Sequence, residues 1–183
     1  MSPVAPVPGL EPAFTVAARL GPLEDHGVTR AGHRRVVPIA GGRVVSVSGG
    51  RVVSVSDGMP GEVPGGVASE VASGLFEAEI LPGGADWQLV RPDGCIEIDT
   101  RYSARTSAGE FVHFRTSGVR SGPPEVLAAL LRGEAVDPAS YYFRVAVHLE
   151  TSAPRLAVLE RSVFVASAVR GADSVAYTAY RVT

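Results

Sequence analysis

The chain has 183 residues, of which 17 are basic and 19 acidic, for a formal net charge of −2. This length fits one domain, since roughly 150 residues already bury about 70% of the unfolded surface, so neither disulfides nor structural metals are needed for stability. The charged residues form neither a basic stripe nor an acidic tail. We therefore expect no nucleic-acid partner.

Residue usage points to the coding sequence more than to function. Every basic residue is Arg, Lys and Asn are absent, and Ala, Val, Gly and Pro are abundant. This usage is typical of a very GC-rich gene and suggests an actinobacterial source, which weakens any functional interpretation of the arginines. The single cysteine, Cys95, allows neither a disulfide nor a multi-cysteine metal site, and is best interpreted as a small buried hydrophobe.

The N-terminal segment is predicted to be a disordered lead-in over residues 1–13. It contains four prolines, has no positively charged start and has no continuous apolar core, so it does not resemble a signal peptide. No run of 18 apolar residues follows that could span a membrane. We expect a cytoplasmic protein without a membrane partner.

From Phe14 onward the dominant hydrophobic period is two, with many β-branched and aromatic residues. The predicted strands are 14–20, 33–39, 43–48, 51–56, 74–81, 86–91, 94–106, 110–119, 141–150, 159–169 and 174–182. Gly, Pro and Asp separate them. About ten short strands at hairpin spacing indicate an all-β sandwich or a closed antiparallel barrel.

One helix is predicted over residues 123–132. Two prolines stand where a first helical turn accepts them, and Gly133 supplies the stop. Its apolar stripe is formed by Val126, Leu127, Leu130 and Leu131. We interpret this stripe as a lid packed on the barrel in preference to a partner-binding surface.

An exact tandem duplication interrupts the strand pattern. The sequence GGRVVSVS occurs at 41–48 and again at 49–56. Two copies are too few for a solenoid. We predict an inserted hairpin and loop over about 41–73, either a surface excursion or a segment that lines the barrel mouth.

No local motif names a reaction. Neither a phosphate-binding loop nor a G-x-S-x-G elbow occurs. The four histidines, His26, His33, His113 and His148, lack metal-ligand spacing. We therefore expect no metal and no cofactor.

Ionisable side chains instead alternate along predicted strands. In residues 95–102, Asp99 and Arg101 share one face, opposite Tyr102. His113 and Arg144 occupy comparable positions on later strands. Periodicity leaves two interpretations open: the polar faces point to solvent, or they line a polar lumen that moves protons on a bound substrate.

Several segments resemble the bacterial family known as domain of unknown function 3237. They are PGGADWQLVRPDG (82–94), DTRY (99–102), SGPPEVLAALLRGEAVDPASYYFR (121–144) and LERSVFVA (159–166). The resemblance runs in order from about Phe14 to the C-terminus and implies a calycin-like β-barrel. The chain departs from the family in the longer connection at 41–73 and in Glu160, which stands where the family has Asn.

The sequence therefore predicts an all-β fold, a single closed antiparallel barrel of about ten strands over 14–183 with one short helix. The motif positions that the resemblance carries over are Trp87, Asp99, Arg101, Tyr102, Arg120, Tyr142, Arg144 and Arg161. His113 joins them by the alternation argument alone, and Glu160 by its position beside Arg161.

Two functions remain open. The first is a cofactor-independent cyclase, isomerase or lyase of specialised-metabolite biosynthesis, acting on a hydrophobic or polyketide-like molecule. Its predicted catalytic residues are Asp99, Arg101, His113, Tyr142 and Arg144, and its predicted substrate-binding residues are Trp87, Tyr102, Arg120, Glu160 and Arg161. The second is a non-catalytic carrier of a small molecule. Both leave room for a homodimer.

Overall fold

The computed structural model describes residues 4–47 and 76–183, which contain ten β-strands and one α-helix. The strands are β1 Leu10–Leu20, β2 Glu24–Thr29, β3 Gly32–Ser46, β4 Glu77–Ile80, β5 Gly84–Val90, β6 Ile96–Thr106, β7 Phe111–Ser121, β8 Tyr142–Thr151, β9 Phe164–Arg170 and β10 Ser174–Val182. The helix, α1, spans Pro124–Leu131, and two short 3₁₀ helices cover Pro138–Ser140 and Pro154–Leu159.

The strands close into a barrel in which every pairing is antiparallel. The ring runs β1, β10, β9, β8, β7, β6, β5, β3 and back to β1. Closure depends on β1, which pairs with β10 on one side and with β3 on the other. The two additional strands are β4, which continues the line of β5 between β3 and β6, and β2, which pairs with β3. The predicted closed barrel with one helix is confirmed.

Strict alternation of buried and exposed side chains decides what faces the interior. In β6, Ile96, Ile98, Tyr102 and Ala104 are buried, whereas Arg101 is exposed. Successive side chains of a strand point to opposite faces, so one face of β6 lies inside the barrel and the other outside. The same alternation holds in β7 and β8.

Part of the interior is filled by interlocking aromatic rings. The ring centroid of Phe14 lies 6.2 Å from that of Phe76, 6.1 Å from that of Phe114 and 5.5 Å from that of Phe164. Tyr102 stacks on Phe114 at 4.8 Å with an interplanar angle of 8°. These tilted and stacked pairs add to the hydrophobic gain of burial. We call the four phenylalanines the phenylalanine cluster.

The helix matches its sequence signals. Its first residue follows Pro123, and it ends where Gly133 adopts a φ of +78°. The backbone N–H groups of Gly133 and Glu134 donate to the carbonyls of Leu130 and Ala129, which is the Schellman pattern. Leu130 is buried in the barrel core, so α1 packs its apolar side against the barrel.

Three segments differ from their predicted form. The predicted strand 33–39 and residues 43–46 of the predicted strand 43–48 are parts of the continuous β3. At Gly42, β3 lies so close to β1 that a Cβ there would lie 2.1 Å from the Ala17 carbonyl oxygen. β2 was not predicted, since its sequence EDHGVT has little apolar character. The strand predicted over 159–169 begins only at Phe164, after the second 3₁₀ helix.

The first strand begins earlier in the chain than predicted. β1 begins at Leu10, inside the predicted lead-in over 1–13, because Leu10 and Pro12 pair with Val182 and Tyr180. Residues 41–46 belong to β3 and pair with β1. The second copy of the duplication at 49–56 and the loop that follows it lie outside the described residues. No helix of the described ranges is long and apolar enough to cross a membrane.

We predict that the phenylalanine cluster supplies much of the stability of the barrel. Phe114 is completely buried, so Phe114→Ala should lower the free energy of unfolding by about 3–5 kcal/mol, measured by urea denaturation. The control is Phe111→Ala on the same strand, where the side chain is 53% exposed and a change of about 0.5 kcal/mol or less is expected. Equal losses in the two variants would contradict this role.

Candidate functional site

A cavity opens inside the barrel next to the phenylalanine cluster. The cavity volume is about 40 Å³, within about 550 Å³ of space between the lining atoms that includes open solvent. Most of the wall is apolar, with side chains that include Leu20, Val37, Ile39, Ile98, Phe143 and Val145. Such a mainly apolar cavity with a few converging polar groups is the usual form of a small-molecule site.

A polar belt crosses three neighbouring strands of this wall. In the strand register Asp86 of β5 lies opposite Thr100 of β6, and Thr100 lies opposite Thr116 of β7. Gln88 stands two residues beyond Asp86 and faces the same side. All four side chains are buried and line the cavity. The alternation of three strands therefore brings a carboxyl, an amide and two hydroxyls together.

Asp86 is the acidic group of the belt. Its Oδ2 accepts a hydrogen bond of 2.6 Å from Nε2 of Gln88, while Oδ1 has no hydrogen-bond partner within the described residues. Burial is the dominant influence and raises the pKa of Asp86, although hydrogen bonds from Gln88 and Thr100 and the charge of Arg120 act in the opposite direction. At a given pH, Asp86 is therefore protonated to a larger extent than an exposed aspartate, a property that often accompanies proton exchange at functional sites.

Arg120 brings a positive charge to the same cavity. It is only 6% exposed, and in the part of the chain that the structure describes its Nε and Nη1 have no hydrogen-bond partner. Its Cζ lies 5.4 Å from the centroid of the Phe143 ring, a cation–π contact. Burial, helped by the nearby charge of Arg170, lowers the pKa of Arg120 to about 10, so the guanidinium stays protonated at neutral pH.

Two tyrosines close the cavity on the side of the phenylalanine cluster. The hydroxyls of Tyr102 and Tyr177 share a hydrogen bond of 2.6 Å, and both side chains are buried. Burial raises the pKa of both phenols above the ordinary range, so both remain neutral. One hydroxyl donates to the other and the accepting hydroxyl keeps its own O–H, so the pair offers a neutral polar surface at the base of the cavity.

Arg170 stands at the end of β9 and lines the cavity beside the turn to β10. Its Nη1 donates to the carbonyls of Gly171 and Ser174, and its backbone N–H donates to the hydroxyl of Tyr141. These bonds hold the side chain of Arg170 in place. Burial lowers the pKa of Arg170 from its ordinary value.

The residues predicted to be catalytic lie on the outer surface. Asp99 pairs with Arg101 at 3.3 Å, and His113, Tyr142 and Arg144 are exposed. The sequence left open whether these strand faces point to solvent or line the lumen, and in the structure they point to solvent. The alternative in which they line the lumen is wrong, because the neighbouring side chains on the opposite face of each strand are the ones buried in the barrel. Their catalytic role stays a prediction that their position does not support.

The outer residues make local pairs instead. Nε of Arg115 lies 3.9 Å from Oδ1 of Asp99, and Nδ1 of His113 lies 3.4 Å from the hydroxyl of Ser103. The guanidinium of Arg144 covers the exposed ring of Tyr142, with Cζ 5.2 Å from the centroid. Exposed pairs of this kind contribute about 0–1 kcal/mol each.

The predicted substrate-binding residues divide between the two faces. Tyr102 and Arg120 line the cavity. Trp87 is 38% exposed and points outward between Asp86 and Gln88. Glu160 and Arg161 are also exposed, and Oε1 of Glu160 accepts a hydrogen bond from the backbone N–H of Thr151.

Other cavity residues were not singled out from the sequence: Asp86, Gln88, Thr100, Thr116, Arg170 and Tyr177. The signal for two of them was available in the motif ADWQ, because alternation puts Asp86 and Gln88 on the face opposite Trp87. Trp87 was predicted instead because the family resemblance carries it over, and its side chain lies on the outer face. Thr100, between two charged residues, gave no such signal. Within residues 4–47 and 76–183, no three His, Cys, Asp or Glu side chains form a cluster that could hold a metal ion.

Comparison with known proteins supplies relatives for this barrel. A family model described as a protein of unknown function, DUF3237, matches residues 8–182. The chain is 35% identical over 169 residues to a UPF0311 protein of Bradyrhizobium diazoefficiens, covering 92% of this chain and 93% of that protein. A UPF0311 protein of Rhodopseudomonas palustris is 36% identical over the same length and coverage. An actinobacterial source stays a prediction.

Solved structures share the fold. A conserved protein of unknown function from Rhodopseudomonas palustris superposes with a TM-score of 0.77 at 33% identity, covering 98% of this chain and all of that one. A β-barrel-like protein from Acinetobacter baumannii gives 0.71 at 33% identity, covering 98% and 99%. A protein described as an enzyme from Penicillium herquei gives 0.62 at 16% identity, with both chains fully covered, which shows the fold alone.

We predict that the buried carboxyl of Asp86 makes stability depend on pH. In the unfolded chain an Asp loses its proton near pH 4, whereas the raised pKa keeps the folded carboxyl protonated to higher pH. The folded state is therefore penalised as pH rises from about 4 through that raised pKa. The neutral variant Asp86→Asn should match the wild type at pH 3–4 and exceed its free energy of unfolding at pH 8 by about 1–3 kcal/mol.

The matched control for this pH series is Asp99→Asn, on the outer face of β6. Its free energy of unfolding should differ from that of the wild type by about 1 kcal/mol or less. The free energies of unfolding of all three proteins are measured by urea denaturation between pH 3 and pH 8. A pH dependence in Asp86→Asn that equals that of the wild type would show that Asp86 does not carry the effect.

Proposed function

The chain belongs to the DUF3237 family, and we propose that it binds a small organic molecule in the barrel lumen and catalyses cofactor-independent acid–base chemistry on it. The observation that carries the proposal is the pairing of functions in one buried cavity. Asp86 is a carboxyl with a raised pKa and one oxygen without a partner among the described side chains, and Arg120 is a guanidinium with two such nitrogens. A group that exchanges a proton and a group that stabilises negative charge thus face the same space.

The proposed first step is removal of a proton from carbon next to a carbonyl group. The carboxylate of Asp86 takes the proton, the C–H electron pair moves into the carbonyl, and an enolate forms. An N–H of Arg120 donates to the enolate oxygen. Because this N–H has no competing partner in the described part of the barrel, it can serve the charge that develops in the transition state.

Three reaction classes share this first step. Return of the proton from Asp86 to a different carbon gives an isomer. Attack of the enolate on an electrophilic carbon of the same molecule gives a ring. Loss of a leaving group from the neighbouring carbon gives a double bond, as in a lyase. Molecules with acidic C–H groups beside carbonyls, such as polyketide-like metabolites of specialised biosynthesis, are the substrates that suit this chemistry.

The rest of the cavity supports this role. Most of the wall is apolar, and this low-polarity surrounding strengthens the interaction between Arg120 and a developing negative charge. The neutral hydroxyls of Tyr102 and Tyr177 provide a polar surface without adding a charge. The enzyme from Penicillium herquei gives support at the level of the fold, since it has this barrel and is described as an enzyme.

The second candidate is a carrier that binds a metabolite without changing it. The predominance of apolar side chains in the wall favours this function, because such a wall holds a hydrophobic molecule well. A carrier function, however, gives no role to the raised pKa of Asp86 or to the unpaired nitrogens of Arg120. Burying such groups costs stability, which a passive carrier gains nothing from.

We predict that the protein accelerates exchange of acidic C–H hydrogens with solvent. The enolisable bicyclic ketone 2-tetralone is the probe, and loss of its α-proton signals in D₂O is followed by NMR. The wild type should exceed the buffer rate, and Asp86→Asn should lose about a hundredfold or more of the added rate, the usual scale for a lost general base.

Two outer-face variants serve as controls. Asp99→Asn and His113→Gln should each stay within about twofold of the wild-type exchange rate, because neither side chain lines the cavity. Saturable binding of 2-tetralone without exchange above the buffer rate would favour the carrier. Full activity in Asp86→Asn together with loss of activity in Asp99→Asn would show that the reaction takes place on the outer face of the barrel and not in the cavity.

A further inference from the structure

The charge balance of the cavity indicates what kind of ligand it takes. Arg120 is buried, positively charged and without a hydrogen-bond partner at Nε and Nη1 in the described chain. A buried guanidinium that bonds to nothing costs stability. Arg120 makes no salt bridge with Asp86, the acidic side chain of the cavity wall, although Asp86 is near enough to influence it. The fold therefore maintains an unpaired cation that faces the cavity.

A second cation stands close by. Arg170 lines the same cavity, and its charge acts on Arg120. Nη1 of Arg170 is occupied by the carbonyls of Gly171 and Ser174, so Arg170 contributes mainly as a fixed charge. The charge of Arg170 is offset by two carboxyls that act on it, Asp173 and Asp86. Of the two cations that line the cavity, Arg120 is the one whose Nε and Nη1 have no hydrogen-bond partner within the described residues.

The geometry around Arg120 limits the ligand further. Cζ of Arg120 lies over the ring of Phe143, and the Nε and Nη1 of this guanidinium have no hydrogen-bond partner among the described residues. A planar guanidinium matches a carboxylate, which can accept two N–H bonds at once. The remaining wall is apolar, with Leu20, Ile39 and Val145 among its side chains. One unpaired guanidinium and apolar walls suit a singly charged anion better than a phosphate, which needs more donors.

We propose that the lumen selects organic acids, with the carboxylate of the ligand bound by Arg120 and its apolar body against the barrel wall. This proposal rests on the proposed function, since it takes the lumen as the ligand site, and it adds the substrate class. Because Nε and Nη1 of Arg120 both lack a partner among the described residues, one nitrogen can bind the carboxylate while the other donates to the enolate oxygen of the proposed function.

The test compares benzoate with benzamide, which have the same shape but differ in charge. Calorimetric titration of the wild type should show benzoate binding at least tenfold more tightly than benzamide. In Arg120→Gln, benzoate should lose at least tenfold in affinity while benzamide stays within about threefold. The control Arg115→Gln, on the outer face of the same strand, should keep the wild-type preference.

A second variant guards against misfolding of Arg120→Gln. Arg120→Lys keeps the positive charge but not the planar pair of donors, so it should retain part of the benzoate preference.

Equal affinities for benzoate and benzamide in the wild type would overturn the selectivity for acids and leave the lumen as a binding site for neutral molecules. If neither probe nor 2-tetralone binds, both this proposal and the proposed function fail. A benzoate preference that is unchanged in both Arg120 variants would place the anion elsewhere and overturn the assignment.

Discussion

The hydrogen bonds between β1 and β3 close the sheet on itself, and the other features of the molecule depend on that closure. In a closed barrel every second side chain enters one finite interior, and no strand of the ring is left with an unpaired edge. The interior must then be filled or left as a cavity. Four phenylalanines fill one part, whereas small residues such as Ala18 and Ala168 leave room in the other.

Closure of the barrel also raises the free-energy cost of keeping charged residues in the lumen. On an open sheet, Asp86 and Arg120 would be solvated by water, but inside the ring they lose that solvation and their pKa values shift toward the neutral forms. The protein compensates them only in part: hydrogen bonds from Gln88 and Thr100 act on Asp86 while its Oδ1 has no partner among the described residues, and Arg120 has an aromatic contact. The proposed ligand would pair with these unpartnered atoms, so the proposed binding site coincides with the polar groups of the lumen that lack hydrogen-bond partners among the described residues.

Much of the fold could be predicted because a period of two, interrupted by Gly and Pro, survives in the sequence whatever the tertiary contacts are. The helix could be predicted from Pro124 and Gly133 for the same local reason. The side of each strand that enters the barrel could not, because alternation fixes two faces and names neither. A strand with charges on one face and large apolar groups on the other, such as β6, buries the apolar face. In β5 the rule gives no guidance, since the apolar Trp87 stands outside while Asp86 and Gln88 stand inside. β2 was missed because pairing with β3, and not its own composition, makes it a strand.

The separation of the phenylalanine cluster from the polar belt has a consequence for how such barrels diversify. Residues that hold the ring together and residues that meet the ligand lie on the same strands but at different heights, as Phe114 and Thr116 show on β7. Substitutions among the residues that line the cavity can therefore change its polar groups while the packing of the phenylalanine cluster is kept. Relatives that are about one-third identical share this architecture, so the barrel tolerates replacement of about two-thirds of its residues.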